Sequence, residues 1–290
     1  MRIITAFDNH SYSARIVSEV AKLAANTWAD MTMLGVQSSA TGNTPESALA
    51  NKLKHYRNDF LAQFDGRELP YDGSADSLEF KKRKDNLWEL IGYSQEGDFR
   101  KKLLIKIRAG EPVKAILAEA SEQESDLIVL GCTKGLDCQW NGQTDLPQRV
   151  AKSADCSTLV IKEKKSPDTI TCFLDQTYVS QASLEMVNQV VTLYNAELKI
   201  IGLTDSKGVG GNEKVETRMA EILRYYADRK INAWIKLVRP EELEEYVAQV
   251  SRENMVALWM GKKSLLSKIF SRDLVGKLVN SSQSSVLILR

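Results

Sequence analysis

Apolar and polar positions along the chain form a pattern that occurs twice. Arg2-Ile3-Ile4-Thr5-Ala6-Phe7-Asp8 is a short apolar run ending in an acid. Thr169-Ile170-Thr171-Cys172-Phe173-Leu174-Asp175 repeats it after the charged stretch Lys162-Glu163-Lys164-Lys165-Ser166-Pro167. Runs of this length and β-branched content predict buried strands. Behind the first run, Ile16, Val20, Leu23 and Ala24 recur at helical spacing and predict an amphipathic helix over 13–27. The pattern then predicts strands over 29–37 and 102–107 and a helix over 111–121, with Pro112 tolerated in its first turn. A strand over 126–131, a helix over 146–153 and a strand over 158–161 close the first copy.

The second copy keeps this order. Leu184, Val187, Val191 and Tyr194 form the first helical stripe. Strands are expected over 197–203, 233–238 and 255–260, helices over 213–230 and 241–253, and a closing strand over 286–289. Ser157-Thr158-Leu159-Val160-Ile161-Lys162 and Ser285-Val286-Leu287-Ile288-Leu289-Arg290 end the two copies alike. A repeat this long is two copies of one domain rather than a solenoid unit. Alternating strands and helices imply an α/β fold with a mostly parallel sheet covered on both faces. The expected domains are 1–163 and 168–290.

The first copy is longer between Ser38 and Lys101, which places an insertion at about 66–100. Within it, Leu87-Trp88-Glu89-Leu90-Ile91 reads as a short docking helix, and Lys81-Lys82-Arg83-Lys84 as a solvated helix face. A surface excursion packing its own aromatics is one reading of the insertion; a lid or a protein-partner surface is the other.

Composition narrows the classes. The chain of 290 residues can bury two cores, and its net charge of +1 argues against a broad nucleic-acid face. No apolar run is long enough to span a bilayer, and Asp8 and His10 interrupt any leader-like segment. Four cysteines without a paired pattern suggest reduced thiols and a cytoplasmic location.

The strand ending in Asp8, the run Asp126-Leu127-Ile128-Val129-Leu130-Gly131 with a glycine-bearing loop behind it, and the closing strand after Ala154-Asp155-Cys156 resemble the universal stress protein family. The chain looks like a tandem member. The resemblance implies two five-stranded parallel sheets of strand order 3-2-1-4-5, related by a pseudo-twofold. It also implies a ligand crevice where the winding reverses, beyond the carboxyl ends of the strands. In nucleotide-binding members the acid after strand 1 lies beside the adenine, and a residue ending strand 2 adds apolar and backbone contacts to the base. Those roles pass to Asp8 and Val36, and in the second copy to Asp175 and Gly202.

The family's phosphate loop, Gly-x2-Gly-x9-Gly-Ser/Thr, is altered in both copies. The first has Gly131-Cys132-Thr133-Lys134-Gly135, with Thr144-Asp145 where Gly-Ser or Gly-Thr belongs. Asp145 suits a helix N-cap with Gln148 completing a capping box. The second copy has Gly261-Lys262-Lys263-Ser264 and no further glycine until Gly276. By resemblance the binding residues are Asp8, Val36, Gly131, Lys134, Gly135 and Thr144, with Asp175 and Gly261 in the second copy, and the ligand is ATP with Mg²⁺ or another adenine nucleotide. The expected role is stress-response regulation through ligand sensing, with protein partners. Family members pair through the fifth strand, which in a tandem chain the two copies can satisfy internally, and a further homodimer is a separate expectation. The alternative is an interaction scaffold with degenerate sites, acting through the insertion.

Other clusters carry less. Asp8, Asn9, His10, Ser11 and Ser13 suit a turn and a helix start rather than a catalytic set, so no turnover chemistry is expected beyond slow ATP hydrolysis. Cys132 and Cys138, even with His10, fall short of a zinc ligand set, which leaves a redox-sensitive thiol as their functional reading.

Overall fold

The computed structural model describes residues 1–7, 12–39, 44–64, 70–73, 76–93, 101–132, 145–162, 166–176, 178–204, 212–261, 265–270 and 272–290. These divide into two compact units, one ending at residue 162 and one starting at 166.

In the first unit the chain runs β1 (Arg2–Phe7), α1 (Tyr12–Ala25), β2 (Asp30–Gln37), α2 (Ser47–Ala62), β3 (Asp76–Lys84), β4 (Leu87–Tyr93), β5 (Leu103–Ala109), α3 (Pro112–Glu122), β6 (Leu127–Cys132), α4 (Leu146–Ser153) and β7 (Ser157–Lys162). Within this unit the strand order is β7-β6-β1-β2-β5-β4-β3. The five strands β1, β2, β5, β6 and β7 are parallel, while β4 pairs antiparallel with both β5 and β3. Every residue of β6 and β7 is buried, which explains why these strands are written as unbroken apolar runs.

The insertion corrects three expectations. The first unit contributes seven strands rather than five. The segment expected as a docking helix, 87–91, is strand β4, and the basic run lies on β3 rather than on a helix. The cause is tertiary. The open edge of β5 supplies unpaired backbone groups, and β4 satisfies them with Leu87, Trp88 and Glu89 opposite Arg108, Ile107 and Lys106. Trp88 is completely buried there.

That pairing also encloses charge. Lys106 and Arg108 share one face of β5 and both reach the buried Glu119 of α3: Lys106 Nζ donates to Oε1 at 2.8 Å and Arg108 to Oε2 at 2.7 Å. Arg108 also pairs with Glu122 at 2.9 Å, and Lys84 of β3 reaches the same Glu122 at 2.9 Å. Two buried cations thus face the buried Glu119 and the more exposed Glu122, with Lys84 pairing to Glu122 from the exposed side.

The caps agree with expectation only in part. Glu111 caps α3 by accepting from the Lys114 N–H at 2.9 Å, with Pro112 at the first turn. Asp145 stands at the N-cap of α4 but its side chain makes no capping bond, because its backbone (φ −121°, ψ 8°) is not extended.

The second unit runs β8 (Thr169–Phe173), α5 (Gln181–Tyr194), β9 (Glu197–Leu203), α6 (Asn212–Ala227), β10 (Ala233–Val238), a 3₁₀ turn (Pro240–Glu242), α7 (Leu243–Val250), β11 (Met255–Trp259), α8 (Leu265–Ile269), α9 (Arg272–Ser281) and β12 (Val286–Leu289). Its five strands are all parallel, in the order β10-β9-β8-β11-β12. Numbered along the chain, the parallel strands of each unit read 3-2-1-4-5. The helix expected over 241–253 is shorter, since Pro240 opens a 3₁₀ turn and α7 ends at Val250. No described helix is long and apolar enough to cross a membrane.

Gly35 and Gly202 show the same packing rule in both units. A methyl group at Gly35 would meet Leu53 Cδ1 at 2.8 Å, and one at Gly202 would meet Met219 Cε at 2.5 Å. In each unit a bare backbone lets the helix behind the second strand seat closely on it.

Candidate functional site

The first unit's switch point lies at β1, with β2 on one side and β6 on the other. Phe7 pairs with Gly35 and Ala6 with Leu130, so Val36 and Gly131 each lie one residue further, at the carboxyl ends of the flanking strands. Val36 is 4% exposed. The structure thus brings Val36 and Gly131 to the same end of the sheet, on either side of the strand that leads into Asp8. Asp8, Lys134, Gly135 and Thr144 lie outside the described residues, as do Asn9, His10, Ser11 and Cys138.

Beyond β2 a polar cavity of about 290 Å³ is lined by Gln37, Ser38, Ser39, Thr44, Pro45 and Glu46. Gln37 organises it. Its side-chain amide donates to the Ser39 carbonyl at 2.7 Å and its Oε1 accepts from the Glu46 N–H at 3.0 Å. This residue escaped the sequence reading. Its signal in the sequence is a polar residue closing an otherwise apolar strand end.

Cys132 follows Gly131 and pairs in register with Lys162 of β7. It is disulfide-bonded, which overturns the expectation of reduced thiols throughout. Lys162 is buried, and burial pushes its ammonium group down to about 8. Cys156 and Cys172 form no disulfide. Cys156 directly precedes β7, at the amino-terminal end of that strand. Cys172 is buried within β8, and burial pushes its thiol up to about 12.

The second unit has the same frame with different contents. Phe173 pairs with Ile201 there, so continuing the register places Leu203, not Gly202, where Val36 stands. In the closing strands Gly131 faces Ile161 while Trp259 faces Leu289. The positional twin of Gly131 is therefore Trp259, and Gly261 lies two residues beyond. The sequence pairing of the two glycines was off by two positions. A two-residue slip preserves which side of the sheet each residue faces, so an apolar run cannot reveal it.

These substitutions fill the crevice. The Gln176 side chain donates to the Leu203 carbonyl at 2.7 Å and accepts from the Leu203 N–H at 3.1 Å. Arg218 Nε donates to the Gln176 carbonyl at 3.3 Å. Asp175 is 2% exposed. The Trp259 indole lies over Gly261 so closely that a methyl group there would come within 2.3 Å of the ring.

The Universal stress protein family model matches residues 1–162. Among solved structures, a universal stress protein from Archaeoglobus fulgidus DSM 4304 is 12% identical with a TM-score of 0.56, covering 100% of this chain and 96% of its own. A functionally unknown protein from Pseudomonas aeruginosa PAO1 is 14% identical with a TM-score of 0.57, covering 99% of this chain and 92% of its own. At these identities the likeness is one of fold. No curated protein sequence matches the chain significantly.

Proposed function

Because the chain belongs to the universal stress protein family, we propose that it is a stress-response regulatory protein whose first unit binds ATP or another adenine nucleotide. One observation supports this reading above others. Val36 and Gly131 flank the switch point of the first unit at the carboxyl ends of β2 and β6, where open α/β sheets take ligands. Val36 offers the base an apolar side chain and backbone groups, and Gly131 leaves room for a phosphate-bearing loop. Asp8, Lys134, Gly135 and Thr144 complete the set that the family resemblance implies, and Mg²⁺ accompanies the nucleotide. The role is binding and sensing; slow ATP hydrolysis at most follows from it.

The scaffold alternative gains less support. Leu87 and Trp88 of the insertion are buried within their own unit and so are withheld from a partner, whereas Leu78, Phe80, Leu90 and Ile91 are only half-buried.

The test is analysis of what the purified protein releases on denaturation, with calorimetric titration of ATP and Mg²⁺ on the emptied chain. ATP, ADP or AMP in the supernatant, or binding on titration, supports the reading. An empty protein that gives no heat with nucleotide overturns it.

A further inference from the structure

We propose that Gln176 determines which of the two units can take a ligand, by occupying the second crevice with its own carboxamide. Gln176 follows Asp175, just beyond the first strand of its unit, and its side chain turns onto the end of the neighbouring β9. The carboxamide presents a donor and an acceptor side by side. Both are used on one residue, Leu203: Nε2 to the carbonyl at 2.7 Å and Oε1 from the N–H at 3.1 Å. An adenine ring also presents an adjacent donor and acceptor on one edge. A base approaching the end of β9 meets a backbone already paired in the way the base would pair it.

Three further features keep the plug in place. Gln176 is 4% exposed, so water does not compete for its amide. Arg218 of α6 holds its carbonyl at 3.3 Å. Gly202 leaves the amide room to lie flat, since a methyl group there would stand 3.2 Å from Oε1. On the other side of β8 the twin of Gly131 is Trp259, whose indole covers Gly261, so the Gly261 backbone is closed to a phosphate. Gln176 thus blocks the base and Trp259 the phosphates.

The choice of probe rests on the reading proposed above, that the first unit takes an adenine nucleotide. Adenosine is the probe because it tests the base position without needing the phosphate side. It is titrated by calorimetry into the full chain, into Gln176→Ala, and into Gln176→Met, which fills the same space without the paired bonds. The expected result is one more adenosine site per chain in Gln176→Ala than in the natural chain, and no gain in Gln176→Met. Zero sites rising to one upholds the inference while the first-unit reading fails. One site staying at one overturns the inference and leaves that reading intact. Two sites in the natural chain overturn it as well, and no binding by any form overturns both. Amide hydrogen exchange at Leu203 in the natural chain needs no variant. The bond to Oε1 predicts exchange at least ~10-fold slower than in Gln176→Met, and equal rates would overturn the clasp.

Discussion

At the scale of single residues, the buried charges of the first unit decide more than their number suggests. Glu119 is completely buried between Lys106 and Arg108, so removing it leaves two cations in a dry site. Glu119→Ala is expected to lower stability by about 3–5 kcal/mol, the range for breaking a buried pair from one side. Urea unfolding of the variant against the natural chain measures it, and a loss under ~1 kcal/mol would mean the network is solvated. Glu122 is different, being largely open to water. Hydrogen bonds from Arg108 and Lys84 hold its carboxyl below the ordinary value. Its stabilisation is therefore present above about pH 4.3 and lost as the pH falls through the lower folded value. Solvent screening keeps it small, below ~1 kcal/mol. The stability gap between the natural chain and Glu122→Gln should narrow on acidification from pH 7 to pH 3, and a gap that widens would contradict the assignment. None of this network could be read from the sequence. Lys106 and Arg108 look like ordinary charges on an edge strand until β4 covers them.

Element by element, legibility followed where the partner of each segment lies. β9, β10, β12 and α4 have the bounds their sequence patterns predict, because each forms within the repeated α/β unit. The insertion did not comply. Leu87-Trp88-Glu89-Leu90-Ile91 lacks a clear period of two, and its conformation is set by the free edge of β5, which no local pattern announces. If β4 is an integral strand and not an excursion, Trp88 is a core residue. Trp88→Ala should cost about 3–5 kcal/mol and lower the thermal midpoint of the first unit in a calorimetric scan, while a neutral effect would return the hairpin to the status of a surface loop. The site shows the same division. The ends of β2 and β6 were legible as the rims of a crevice, since topology alone puts them there. Leu203 and Trp259 were not recognised as the counterparts of Val36 and Gly131, because buried strands carry no alternation by which to fix a register.

For the whole molecule, duplication followed by divergence explains why one fold is present twice with unequal contents. Both units keep the 3-2-1-4-5 order, and both keep a glycine under the helix that follows the second strand. They part at the crevice. The first ends its strands with Val36 and Gly131, with a polar cavity beyond β2, and the second ends them with Leu203 under Gln176 and with Trp259 over Gly261. Stoichiometry is therefore the quantity that separates this account from a symmetric two-site protein or an empty scaffold. The decisive measurement is equilibrium titration of ATP with Mg²⁺ into the full chain, repeated with Gly131→Val and Trp259→Phe. The account predicts one ATP per chain, an affinity reduced at least ~10-fold by Gly131→Val, about 1.4 kcal/mol, and no change with Trp259→Phe. Two bound nucleotides, or a single one whose binding depends on Trp259 and ignores Gly131, would contradict it.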